Sequence, residues 1–186
     1  MVMVGGGRVE EQLVAGELVC PCGGVLGPWG SARVRRVRGV GRLCPRRARC
    51  RVCQVTHVLL DSVCLVRRAD GVEVIGSALQ EAAGGAGFRT VARRLGVPQS
   101  TVRGWLRAAR ANAAAVVALL SGVLLGADPL ACPVQVAGSL AGVVEVVGAA
   151  GAAVVRRLGA LVVVSPWRWA SAASQGRLLS GGLVAW

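Results

Sequence analysis

In this sequence, two close pairs of cysteines have the spacing that is best suited to binding a metal ion. One pair is Cys20 and Cys22, the other is Cys50 and Cys53, and 27 residues separate them. Two such turns can supply four thiolates to one Zn²⁺ ion and fold a β-ribbon too small to build its own core. We therefore predict zinc at Cys20, Cys22, Cys50 and Cys53. The first pair is one residue shorter than the usual C-x2-C turn, which weakens the prediction.

The other ligand-type side chains are less well placed. His57, the single histidine, follows Cys53 by four positions. We expect it to pack or hydrogen-bond near the metal, with ligation as the alternative. Cys44 and Cys64 have no close cysteine partner and are expected to be small buried residues. Reactive thiolates could instead serve a redox or anti-sigma switch, but that hypothesis leaves the next motif unexplained.

A second motif, FRTVARRLGVPQSTVRGWLRAAR, begins at Phe88 and fits a helix-turn-helix. Ala92 is the small residue needed where the two helices cross, and Gly96 is the turn residue that tolerates positive φ. Pro98 suits the first turn of the second helix, which we predict over Pro98–Arg110. The positions that must be apolar between the helices are occupied by Val91, Leu95, Val97, Val102 and Trp105.

The rest of the second helix then faces outward and can contact DNA. The predicted contacts in the major groove are Gln99, Ser100, Thr101, Arg103 and Arg107. Arg pairs with guanine and Gln with adenine there, and Gly104 would allow close approach to the duplex. On the preceding helix, the residues predicted to contact phosphates are Arg89, Arg93 and Arg94. The alternative is a helical hairpin with a solvated basic face.

The stretch between the cysteine pairs is rich in arginine. Nine arginines fall within residues 33–51, with no acidic residue among them. The alternation of Val and Arg over residues 34–38 predicts β-strands. We expect Arg35, Arg36 and Arg38 to contact the phosphate backbone of double-stranded DNA.

The overall charge points to the same kind of partner. The chain carries 22 basic residues against 9 acidic ones, for a net charge of +13. Such an excess favours a polyanionic partner, nucleic acid first and an anionic membrane surface second.

The elements that must position these residues form three sections. Residues 17–68 are predicted to be a small β zinc ribbon. Residues 69–112 are predicted to be a three-helix unit of the homeodomain-like kind, with a first helix over Asp70–Ala83. Residues 113–186 are predicted to be apolar helices broken at Asp128-Pro129, Pro133 and Ser165-Pro166. The predicted fold class is α+β, mainly α, and the apolar section is expected to form a homo-oligomer.

A membrane location is not expected from the sequence. A spanning helix needs about 20 consecutive apolar residues, whereas the run at Ala113–Gly126 is shorter and the run at Val134–Val155 contains Glu145. The first residues have acidic side chains where a signal peptide would be apolar. We predict a cytoplasmic protein.

These motifs together resemble a known arrangement. About residues 17–110 resemble an uncharacterised family of zinc-ribbon and helix-turn-helix proteins from high-G+C bacteria. The resemblance depends on the order of five motifs: CPCGG, LxPWG, CxxCxxTHVLL, RRADxxEVIGxAL and TVRGWLR. That family is similar to the DNA-binding front ends of insertion-sequence transposases. The resemblance implies zinc at the paired cysteines and DNA at the second helix.

The predicted function is therefore sequence-specific binding of double-stranded DNA by a transposase-related or regulatory protein that is not an enzyme. Transposase chemistry needs carboxylates converging on two Mg²⁺ ions. After the second motif only Asp128 and Glu145 remain. The alternative is a DNA-binding subunit or fragment of an active transposase.

Overall fold

A computed structural model describes residues 2–4, 9–132, 138–159 and 165–180. The chain has an α+β fold and about half of it is helical, as predicted for the fold class. The strands of the described part are β1 (Val2–Val4), β2 (Leu26–Ser31), β3 (Arg35–Val37), β4 (Gly41–Leu43), β5 (Arg46–Cys50) and β6 (Thr56–Asp61). Its helices are α1 (Val9–Ala15), α2 (Val72–Ala83), α3 (Phe88–Leu95), α4 (Gln99–Ala127), α5 (Leu140–Leu158) and α6 (Pro166–Ala173).

The cysteine-rich section forms a four-stranded sheet in the order β1-β6-β5-β2. Strands β6, β5 and β2 are antiparallel, and β1 pairs in parallel with β6. Along β5 the side chains alternate: Ala48 and Cys50 are buried, whereas Arg47 is exposed. The core under this sheet is small, and its buried residues are Leu13, Cys20, Leu26, Ala48, Cys50 and Leu59. A core of this size gives little hydrophobic stabilisation on its own.

The β3–β4 hairpin connects the sheet to the first helix of the following section. The backbone N–H of Gly71 donates to the carbonyl of Arg38 at 2.8 Å, and the N–H of Arg38 donates to Ala69 at 2.9 Å. The Arg38 guanidinium also pairs with the Asp70 carboxylate at 3.4 Å. These contacts fix the hairpin against the start of α2.

Helices α2 to α6 share one hydrophobic core, which we call the helical body. Its buried side chains include Ile75 of α2, Trp105 of α4, Val146 of α5 and Trp167 of α6. Gly76 permits the closest approach, because a Cβ at that position would lie 2.4 Å from the Trp167 ring. The predicted three-helix section and the predicted apolar section therefore pack together rather than around separate cores.

Helix α4 is longer than the helix predicted over Pro98–Arg110. It continues to Ala127, across the section boundary expected at residues 112 and 113. It is the one helix of the described residues with the length and apolarity to cross a membrane. A core helix has the same composition, and the residues of α4 that pack into the helical body include Ala113, Val116 and Leu120.

The chain breaks predicted after α4 are partly visible. Asp128 ends α4, and the side chain of Ser165 caps α6 by accepting from the N–H of Arg168, with Pro166 as the first residue of that helix. The break predicted at Pro133 lies outside the described residues. The most exposed large apolar side chain near these ends is Leu130, at 94%. Oligomerisation through residues 113–186 stays a prediction.

Candidate metal centre and nucleic-acid interface

The four predicted ligands come together at one end of the sheet, in what we call the thiol cluster. The Sγ atoms of Cys20, Cys22, Cys50 and Cys53 all lie within 4.8 Å of one another. Two of the separations are 3.7 Å, between Cys20 and Cys53, and 3.4 Å, between Cys22 and Cys50. Four sulfurs around one Zn²⁺ at about 2.3 Å would lie about 3.8 Å apart. The cluster could therefore hold one tetrahedral metal ion.

Both sulfurs of the short first turn still reach the thiol cluster because the backbone reverses direction tightly. The N–H of Gly23 donates to the carbonyl of Cys20 at 2.8 Å, and Gly23 has φ +84°. Gly24 then passes so close to Cys50 that a Cβ there would lie 2.7 Å from its sulfur. Glycine is required at both positions, at the first for its left-handed φ and at the second for space.

In the second turn, backbone N–H groups point at a sulfur. The N–H groups of Val52 and Cys53 lie 3.3 Å and 3.4 Å from the Cys50 Sγ. Both N–H groups are thus directed at a sulfur that we predict to bind metal. Gln54 has φ +62°, the conformation that glycine usually adopts at this point of a metal-binding turn, and its side-chain amide donates to the carbonyl of Arg51 at 2.9 Å.

The thiols of Cys20 and Cys22 differ in how readily they lose a proton. The backbone N–H of Gly24 and the neighbouring thiols lower the pKa of Cys22 to about 6. The backbone N–H of Cys22 lowers the pKa of Cys20, but burial and the neighbouring sulfurs outweigh it and raise that pKa to about 12. A cation in the cluster would therefore bind with release of protons.

His57 lies beside the thiol cluster. The residue is only 6% exposed, and its Nε2 is 3.2 Å from the Cys20 Sγ. Burial lowers the pKa of the imidazole, so the neutral ring is favoured. The Nε2 of the neutral ring can therefore hydrogen-bond to the Cys20 sulfur, which is the role near the metal expected from the sequence. Of the other thiols, Cys64 is buried, whereas Cys44, also expected to be buried, is exposed.

The second candidate site begins at the turn between α3 and α4. Gly96 follows α3 with φ +61° and ψ +35°, the left-handed conformation predicted for it. The N–H of Val97 donates to the carbonyl of Ala92 at 3.0 Å and closes the turn. Trp105 is only 1% exposed and belongs to the same core as Val91 and Val102. Packing of this side of α4 determines which residues remain outside.

Four of the predicted DNA contacts remain on the outside of α4, and we call them the α4 face: Gln99, Ser100, Arg103 and Arg107. All four are exposed, and with Phe88 and Gly104 they line a groove of about 390 Å³. Thr101 is half-buried beside them. No acidic residue occurs between Glu81 and Asp128 in the sequence. The surface at the start of α4 therefore offers hydrogen-bond donors and positive charge.

The predicted phosphate contacts of α3 are also exposed, but they differ in their surroundings. Arg94 pairs with the Glu81 carboxylate at 3.2 Å. The Arg89 guanidinium lies 5.7 Å from the centre of the Phe88 ring, and Arg93 is exposed near the end of the helix.

The three arginines predicted on the ribbon do not share one surface. Arg36 is exposed, Arg38 pairs with Asp70, and Arg35 is half-buried on the same side of β3 as the buried Val37. Alternation along a strand places neighbouring residues on opposite faces, so the sequence could have indicated this difference. The sequence does not indicate that Phe88 lines the α4 groove, because its place there depends on how α3 packs against α4.

Comparison with models of known families, with curated protein sequences and with solved structures finds no match to this chain. The resemblance to transposase-like zinc-ribbon proteins therefore stays a prediction.

Proposed function

We propose that this chain binds double-stranded DNA in a sequence-specific manner, with α3 and α4 as a helix-turn-helix and the α4 face in the major groove. The observation that carries the proposal is the exposure of Gln99, Ser100, Arg103 and Arg107 in one groove while Trp105, on the opposite side of the helix, is buried. A recognition helix needs this division between a packed side and a side that contacts bases.

Each group in the interface has a proposed role. Arg103 and Gln99 contact base edges, since guanidinium and carboxamide groups make paired hydrogen bonds with guanine and adenine. Arg89 and Arg93 contact phosphates, which positions the protein without reading sequence. Arg94, whose present partner is Glu81, is a further phosphate contact in this proposal.

The thiol cluster has a structural role in this proposal. Cys20, Cys22, Cys50 and Cys53 would hold Zn²⁺, and the ion would tie the turn before β2 to the end of β5 where the hydrophobic core is small. The outward arginines of β5 then form a basic surface that adds phosphate contacts. Zinc in such a site contributes to folding and has no open position for catalysis.

The proposal includes no nuclease centre. Asp128 pairs with Arg156 at 3.0 Å, and Glu145 is exposed on α5. Glu145 precedes Arg156 by 11 residues, which is roughly 16 Å along the helix. Two carboxylates that share a pair of metal ions about 4 Å apart must converge, and this placement favours a binding protein over a transposase.

Selection from a random pool of duplex DNA tests the proposal directly. The full-length protein, with and without a zinc chelator, is incubated with the pool and the bound fragments are sequenced. We expect one enriched motif whose recovery falls when zinc is removed. Equal recovery of all sequences would contradict sequence-specific binding.

Two glycines of α4 allow an effect on DNA binding to be distinguished from an effect on stability. Gly104 and Gly122 both lie within α4, and a Cβ at either position would meet nothing within 4 Å. Gly→Ala at each position should therefore stabilise the fold by about 0.5–1 kcal/mol, because alanine favours the helix. Only Gly104 lies in the groove of the α4 face.

We expect Gly104→Ala to weaken binding of the selected duplex because its methyl group stands between α4 and the DNA. Gly122→Ala, the control, should leave the dissociation constant unchanged. Thermal unfolding and fluorescence anisotropy measure the two effects. An affinity equal to wild type in both variants would mean that this face does not approach DNA.

A further inference from the structure

A second groove lies between the sheet and the end of the helical body, and we call it the arginine groove. It has a volume of about 540 Å³ and is lined by Arg35, Val58, Leu60, Val66, Arg67, Arg177 and Ser180. Its three arginines come from three separate parts of the chain. No carboxylate is among these lining residues.

Arg35 enters this groove in an unusual state. Its Nε and Nη2 atoms are buried, and the guanidinium interacts with the buried thiol of Cys64. A partly buried guanidinium loses hydration, and this costs free energy when no opposite charge lies beside it. An anion in the groove would supply that opposite charge.

Arg67 supports the same conclusion from its backbone. It has φ +58°, a left-handed conformation that is uncommon for residues other than glycine. Neighbouring backbone contacts hold the segment, since the N–H of Val66 donates to Gly176 at 2.8 Å and the N–H of Arg68 donates to Leu65 at 3.2 Å. Strained residues of this kind concentrate at ligand sites.

We infer that the arginine groove binds a small molecule bearing a phosphate group, held by Arg35 and Arg67 with Arg177 and Ser180 at its side. Guanidinium groups bind phosphate through paired, charge-assisted hydrogen bonds. The side chains of Val58, Leu60 and Val66 add an apolar wall for the rest of the ligand. The volume is within the range of small-molecule sites.

The shape of the groove favours a free ligand over a phosphate of the DNA backbone. Arginines that contact duplex phosphates need an exposed position, and Arg36 has such a position. Arg35, in contrast, lies in a concave site with two of its nitrogens buried. This site is separate from the α4 face, so the inference does not depend on DNA binding.

Ligand-dependent thermal unfolding of the full-length, zinc-loaded protein tests the inference. The probes are inorganic phosphate and a nucleoside 5′-monophosphate, each compared with chloride at equal ionic strength. We expect a rise in Tm of at least about 2 °C, because a ligand that binds only the folded state stabilises it. Arg35→Gln and Arg67→Gln should lose most of that rise.

Arg36→Gln is the matched control, because it removes the same charge from the neighbouring, exposed position and should keep the full rise. The readout is the change caused by the ligand, so a lower Tm of a variant alone does not affect the test. No rise in wild type, or an equal rise in all three variants, would overturn the inference.

A second experiment adds saturating duplex DNA. A rise in Tm that persists supports a free ligand, and loss of the rise would overturn the inference in favour of a backbone phosphate.

Discussion

Removal of metal by a chelator is expected to unfold the sheet that carries the thiol cluster while α2 to α6 stay folded. The core under the sheet contains two of the four cysteines, Cys20 and Cys50, among its few buried residues, whereas the core of the helical body extends from Leu65 to Leu179. Structural zinc supplies about 10–16 kcal/mol of apparent binding free energy at pH 7. Without it, the sheet has too little buried apolar surface to remain folded.

Hydrogen exchange with and without chelator measures this effect. Backbone amides of β5 and β6 should lose their protection, and those of α2 and α4 should keep it. Cys50→Ser should reproduce the loss and abolish metal binding. Cys44→Ser, which changes an exposed thiol outside the cluster, is the control and should retain one metal ion per chain.

The affinity of the thiol cluster for metal should depend on pH in a defined direction. The pKa values of Cys20 and Cys53 are raised in the metal-free cluster. Protons therefore compete with the metal for these sulfurs, and metal affinity should increase as the pH rises and fall as it decreases.

Protection of β5 that survives complete removal of metal at neutral pH would contradict a structural role for the ion.

Local patterns of the sequence predicted the turn between α3 and α4 well. The conformation of Gly96 and the burial of Val102 and Trp105 follow from short-range spacing, since a helix repeats every 3.6 residues and a left-handed turn favours glycine. The spacing of the cysteines likewise predicted the thiol cluster, although the C-x-C turn argued against it. The left-handed Gly23 compensates for the missing residue.

Features that depend on distant parts of the chain were not predicted. Nothing in the sequence marks an end of α4 after Arg110, because alanine and leucine continue the helix until Asp128 and Pro129. The parallel pairing of β1 with β6 joins residues 2–4 to residues 59–61. The arginine groove also combines residues from Arg35 to Ser180. Pairings over such distances leave no local periodicity in the sequence.

Replacing Arg103 by alanine is expected to weaken binding of the selected duplex about 10- to 100-fold and to relax the preference at one base pair. The guanidinium of Arg103 is exposed in the groove of the α4 face, and a paired contact to guanine is worth about 1–3 kcal/mol. Gln99→Ala should relax the preference at a different position. Arg93→Ala should instead weaken all duplexes alike and reduce the slope of log K against log salt by about 1.

Arg156→Ala is the control for charge alone. Arg156 pairs with Asp128 at the far end of α4, which is 25 residues and roughly 38 Å beyond Arg103 along the helix. Its loss removes the same charge and should leave both affinity and preference unchanged at a fixed salt concentration. If Arg103→Ala and Arg156→Ala bind the selected and scrambled duplexes equally well, the α4 face does not read DNA sequence, and the basic groups of this chain act only as diffuse positive charge.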